Sequence, residues 1–127
     1  MKALIFGSTG SIGNYIFNKL QKDNIECTGT TSSHEKIKDN IIYITSDNVD
    51  NLSKLDNIDI IIWAHGCNIN DNIKNYNSKD CIEIINGNVI FILNTLNKLL
   101  KLNKINNNCK MVIISSIWEE FTRDNKL

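Results

Sequence analysis

A chain of 127 residues is one domain, long enough to bury roughly two thirds of its unfolded surface and too short for a second. With 42% hydrophobic and 22% charged residues it has a soluble, globular composition, and a formal net charge of +0 leaves no basic footprint for nucleic acid or an anionic membrane. The apolar start is too short for a signal peptide and no run reaches membrane-spanning length. Four cysteines without a Cys-x-x-Cys pair, and histidines at no finger-like spacing from them, imply reduced thiols, a cytoplasmic chain and no structural metal.

Lys2–Phe6 reads as a buried strand, Gly7-Ser8-Thr9-Gly10-Ser11-Ile12-Gly13 as a glycine turn, and Ser11 to about Lys22 as a helix with Ile12, Ile16, Phe17 and Leu20 at helical spacing. Strand, turn and helix in that order make a dinucleotide site. The first glycine turns the chain off the strand, the second lets backbone approach a pyrophosphate, and the third lets the helix close onto the sheet. Backbone N–H groups at the helix start then face the phosphates, so Gly7, Ser8, Thr9, Gly10, Ser11, Ile12 and Gly13 are candidate cofactor ligands.

Ile25–Thr30 reads as a second strand whose tip, Thr30 to His34 followed by Lys36, falls where such folds meet the adenosine ribose. A carboxylate there favours NAD. The hydroxyls of Thr31 and Ser32 beside a cation suit a 2′-phosphate and favour NADP, a plain solvated loop being the alternative. Ile41–Thr45 is a third strand, and Asp47–Leu55 a short helix capped by Ser46 or Asp47; Asp47 serves that helix start or approaches the adenine. Ile58–Ala64 is a fourth strand, apolar enough for burial on both faces, ending in His65-Gly66.

Asn68–Lys79 reads as a polar loop with a helical turn. Lys79 to about Asn103 repeats apolar residues at three and four, a long helix broken or kinked near Gly87 with enough apolar surface to pack on the sheet and on another helix. Asn106 to Asn108 reads as a turn, and Lys110–Ser115 as a fifth strand closing on Ser115-Ser116. The alternation argues for an α/β, Rossmann-like, doubly wound parallel sheet, with the strand-end loops gathered at its carboxyl edge.

These motifs resemble the short-chain dehydrogenase/reductase family over essentially the whole chain. Gly7, Gly10 and Gly13 match its nucleotide loop, in the Gly-x-x-Gly-x-x-Gly form of the extended and atypical members. Trp63-Ala64-His65-Gly66 stands where the family has Asn-Asn-Ala-Gly, a loose match that adds Ala64, His65 and Gly66 to the cofactor candidates. Asn88 heads a stretch like the family's Asn-bearing helix, and Val112-Ile113-Ile114-Ser115-Ser116 resembles the strand that carries its catalytic serine.

The resemblance implies hydride transfer between a nicotinamide and a carbonyl or alcohol carbon of some small-molecule substrate. Ser116 would hold the substrate oxygen and Asn88 a water of the proton relay; the residues alone allow a strand-end hydroxyl and an ordinary helix Asn instead. The family's Tyr-x-x-x-Lys pair would fall just past Leu127; Tyr15 and Lys19 have its spacing but lie in the nucleotide helix. A truncated member is the expectation, with an incomplete sheet of about five strands. Losing acid–base groups worth about 10² to 10⁴ in rate would leave it nearly inert. The competing expectation is a non-catalytic module that holds a nucleotide or a partner; the family commonly pairs through the long helix and the one absent here, which leaves a homo-oligomer through the long helix open with half of that interface missing. The glycine turn also occurs in deoxyxylulose-phosphate reductoisomerase, but that enzyme's acidic metal cluster has no counterpart in the sequence.

Overall fold

The computed structural model describes residues 1–66 and 73–114. The strands are β1 (Lys2–Phe6), β2 (Glu26–Thr31), β3 (Ile41–Tyr43), β4 (Ile58–Trp63) and β5 (Ile105–Ile113). The α-helices are α1 (Ser11–Lys22), α2 (Ser78–Ile85) and α3 (Phe91–Lys101). The sheet runs β3-β2-β1-β4-β5 with every pair parallel, so the strand order reverses between β1 and β4. This is the Rossmann-like arrangement, and that reversal opens a crevice at the carboxyl edge.

Alternation along β1 divides its side chains between two cores. Leu4 and Phe6 join Ile44, Leu52, Ile61, Trp63, Phe91 and Leu99 on one face, while Ala3 and Ile5 meet Phe17, Cys27 and Ile62 beneath α1 on the other. Helices on both faces are what lets β1 beyond Lys2, and β4 apart from Asp59, be apolar. Phe6 stacks on Trp63 and meets Phe91 edge-on, both with ring centroids 5.5 Å apart. The buried Trp63 indole N–H donates to Thr95 Oγ1 at 3.0 Å, and that hydroxyl donates to the Phe91 carbonyl at 2.8 Å, tying α3 to the sheet without an orphaned polar group.

Two elements depart from expectation. In place of a helix from Asp47 to Leu55 there is a 3₁₀ turn at Asp50–Lys54, and neither Ser46 nor Asp47 caps it. A local turn wins instead: the Asn48 N–H donates to Thr45 Oγ1 at 3.0 Å, and Asn48 Oδ1 accepts from the Asp50 N–H at 3.3 Å. The buried Leu52 still anchors the segment in the core.

The long helix begins at Ser78, where the Asn77 side chain accepts from the Lys79 N–H at 2.9 Å, and a 3₁₀ turn, Ile73–Asn75, precedes it. The interruption expected near Gly87 is a π-helical turn, Asn86–Ile90, through which α2 passes into α3. Ile82, Ile85, Val89, Leu93 and Leu100 face outward and exposed, and the helix expected to cover them is not among the described residues.

The fifth strand starts at Ile105 rather than Lys110, because the Asn-rich stretch is a bulge inside it. Ile58 pairs with Ile105 and Ile60 with Lys110, so β5 has three more residues than β4 over that span, and Asn108 takes a left-handed φ of 63°. The bulge explains the lone acid of β4. Asp59 accepts from the Lys2 N–H and from Asn106 Nδ2, both at 2.8 Å, and these bonds, the Lys2 amide first, hold its carboxyl below the usual range. Ser115 and Ser116, with the end of the expected strand, lie outside the described residues.

Candidate functional site

The turn after β1 is built by its glycines in three different ways. Gly7 has a φ of +79°, and a Cβ there would lie 2.7 Å from the His65 Cα and N, so β1 and the end of β4 touch through it. At Gly13 a Cβ would lie 2.0 Å from the Gly7 carbonyl oxygen; only glycine lets α1 close onto the turn. Gly10 is different. A Cβ there would meet nothing nearer than the Gly7 oxygen at 3.5 Å, which leaves its outer surface open to a ligand.

Gly10 occupies the cap position of α1 with no side-chain hydrogen bond, and the first helical turn carries no acidic residue. The initial N–H groups of α1 therefore keep their partial positive charge for an external anion. Ser11 and Ile12 are exposed at this start. Ser8 contributes only backbone to that edge, since its buried hydroxyl turns inward and donates to the Thr30 carbonyl at 3.1 Å. Gly29 exists for this contact, as a Cβ there would sit 2.1 Å from Ser8 Oγ.

Beside the turn lies a cavity of about 280 Å³. Of the residues expected from sequence to hold a cofactor, Gly7, Thr9, Thr31, Ser32, His65 and Gly66 line it. Thr30, Ile44, Thr45 and Ser46 complete the wall from β2 and β3, and Gly87 and Phe91 from the long helix. Thr45 and Ser46 follow the carboxyl end of β3, so the strand-end rule applies to them as to the β2 tip; Phe91 has no comparable local signal.

The hydroxyls near the β2 tip are mutually engaged. Thr9 Oγ1 donates to Thr31 Oγ1 at 3.4 Å, Thr31 Oγ1 accepts from the Ser33 N–H at 3.1 Å, and Thr30 Oγ1 accepts from the Gly7 N–H at 3.3 Å. Ser32 is exposed, and Lys36 does not line the cavity. Asp47 is exposed and stands outside the wall. Ala64 supports it from behind, its N–H donating to the Phe6 carbonyl at 2.9 Å. Asn88 lies in the π turn, half-buried, with Nδ2 donating to the Ile84 carbonyl at 3.0 Å. A Cβ on Gly66 would be 3.6 Å from Asn88 Oδ1, so the π turn brings Asn88 to the end of β4. Ser116 lies outside the described residues.

His65 is the unusual wall residue. Its ring leans on Phe91 with centroids 4.2 Å apart, and both ring nitrogens are buried with no hydrogen-bond partner among the described residues. Burial pushes the imidazole below its ordinary pKa, offset only in part by the Gly87 backbone, which stands outside good hydrogen-bond geometry. The ring is neutral at pH 7.

No protein-family model and no curated protein matches the sequence. Solved structures do match, short-chain dehydrogenase/reductases among them. An aldohexose dehydrogenase from Thermoplasma acidophilum superposes with a TM-score of 0.82 at 13% identity, covering 98% of this chain and 52% of its own. A short chain dehydrogenase family protein from Francisella tularensis gives 0.81 at 17% identity, over 98% and 55%. A variant of a Serratia marcescens short-chain dehydrogenase/reductase gives 0.79 at 15% identity, over 98% and 60%. At these identities the likeness is one of fold, and the chain spans little more than half the length of these proteins.

Proposed function

We propose that this chain binds a nicotinamide dinucleotide as the N-terminal part of a short-chain dehydrogenase/reductase fold. The observation that carries the reading is the division of labour within the glycine turn: Gly7 and Gly13 are required by packing, whereas Gly10 and the uncapped start of α1 are left open to an anion. The pyrophosphate would rest on the Gly10–Gly13 backbone, and the adenosine would extend over the β2 and β3 ends toward Thr31, Ser32, Thr45 and Ser46. The exposed Ser32 hydroxyl directly after β2, with the nearest carboxylate, Glu35, only in the following 3₁₀ turn, favours NADP over NAD.

The oxidoreductase resemblance assigns hydride transfer to the bound nicotinamide, with Ser116 at the substrate oxygen and Asn88 in a proton relay. No Tyr-x-x-x-Lys follows Ser116 in these 127 residues, so they are proposed to bind nucleotide without turning over a carbonyl substrate. The outward apolar row on α2 and α3 favours pairing of two copies. Titration of the purified chain with NADP and NAD tests the reading. Binding of both, tighter for NADP and without carbonyl reduction, supports it; absence of binding to either overturns it.

A further inference from the structure

Buried polar groups in native proteins are almost always hydrogen-bonded, and one left without a partner costs stability. His65 carries two such atoms in the wall of the cavity, although histidine has ample alternatives at a site that needs only bulk. The nitrogens have no exposed area, so the residue shows the cavity carbon and backbone instead. A half-turn about Cβ–Cγ exchanges each nitrogen with a ring carbon and leaves the ring plane against Phe91 unchanged. Among the described residues no hydrogen bond of good geometry holds the present orientation, and the Gly87 backbone is the one polar group acting on the ring.

The place of this ring fixes which part of a ligand it meets. The cavity is bounded by the ends of β2 and β3, through Thr31, Ser32, Thr45 and Ser46, and by the apolar Ile44 and Phe91. In such sheets the β2 end meets the adenosine ribose, so the neighbouring space, walled by Ile44, Phe91 and the imidazole, receives the base. A planar heteroaromatic ring with donors and acceptors on its edge suits a slot with apolar walls and one polar side chain. We propose that His65 reads the adenine: on binding, its imidazole turns a nitrogen into the cavity and hydrogen-bonds the edge of the base. This assignment rests on the dinucleotide reading above.

The chain has only two histidines, and His34 is exposed, so nitrogen-15 spectra of the histidine side chains assign by comparison with His34→Ala. Saturating NADP and AMP should each move one His65 nitrogen resonance to a hydrogen-bonded position, whereas nicotinamide mononucleotide, which lacks the adenine, should not. His65→Ala should weaken AMP binding about tenfold, the effect of one buried hydrogen bond. His65→Gln, which keeps a polar edge, should weaken it less, with circular dichroism confirming that both variants fold. Tight NADP binding with unmoved His65 nitrogens, or an equal response to nicotinamide mononucleotide, overturns the proposal and leaves the dinucleotide reading intact. Absence of binding by any of the three ligands overturns both.

Discussion

The glycine turn and the flank formed by α2, α3 and β5 are opposite kinds of surface. Around the turn, β1, the end of β4 and the start of α1 are in backbone contact, with no room for an added methyl at Gly7 or Gly13. Along the flank, Ile82, Val89, Leu93, Leu100, Met111, Val112 and Ile113 stand in solvent. The turn is thus closed by the described residues themselves, while the flank has the exposed apolar character of a surface meant to be covered. Binding and burial are separable here, and mutations should separate them.

The sharpest contrast uses the glycines. Gly7→Ala combines a strained positive φ with a backbone clash, and Gly13→Ala a clash alone; each should cost about 3 kcal/mol or more in denaturant melts. Next comes the inner face of α3 against its outer face. Leu99→Ala, at a fully buried position, should cost about 3 kcal/mol, and Leu93→Ala, at an exposed one, no more than about 0.5 kcal/mol at protein concentrations low enough to keep two copies apart. Equal losses would mean that the flank is covered in solution, and sedimentation would then show an oligomer. A smaller effect is expected at Thr95→Val, which leaves the Trp63 indole N–H without its acceptor, at about 1–3 kcal/mol.

The smallest effect is one of pH. Because the imidazole of His65 is held below its ordinary pKa in the folded chain, the unfolded chain takes up the proton first as pH falls. The stability it contributes is present above the unfolded value of about 6.5 and is lost as pH falls from there through the lower folded value. His65→Gln should flatten the stability profile between pH 7 and 5.5 in urea titrations, leaving the acid limb set by Asp56 and Asp59, whose carboxyls are held low.

The strand, tight turn and helix were legible because their signal is local: three glycines at fixed spacing between an apolar strand and a helical pattern mark close backbone packing. The same holds for the strand ends at Thr31 and His65, which the topology brings together. Less legible was β5, since Asn106 to Asn108 has the composition of a turn, and only the pairing with β4 shows it to be a bulge. The helix proposed near Asp47 failed because Thr45 and Asn48 close a local turn that periodicity does not weigh. Phe91 reaches the cavity from a distant helix through a π turn, a placement set by packing with Phe6 and Trp63 and by nothing in its own neighbourhood.

Gly10 allows the most direct test of the central claim, since a Cβ there meets no protein atom closer than ordinary contact. Thermal melts of wild type and Gly10→Val should coincide to within a few degrees without ligand. With NADP at a hundred times its Kd, wild type should gain about 2.7 kcal/mol and the variant nothing. An unshifted wild type, or a variant stabilised as strongly as wild type, would contradict the assignment of this turn as the nucleotide cradle.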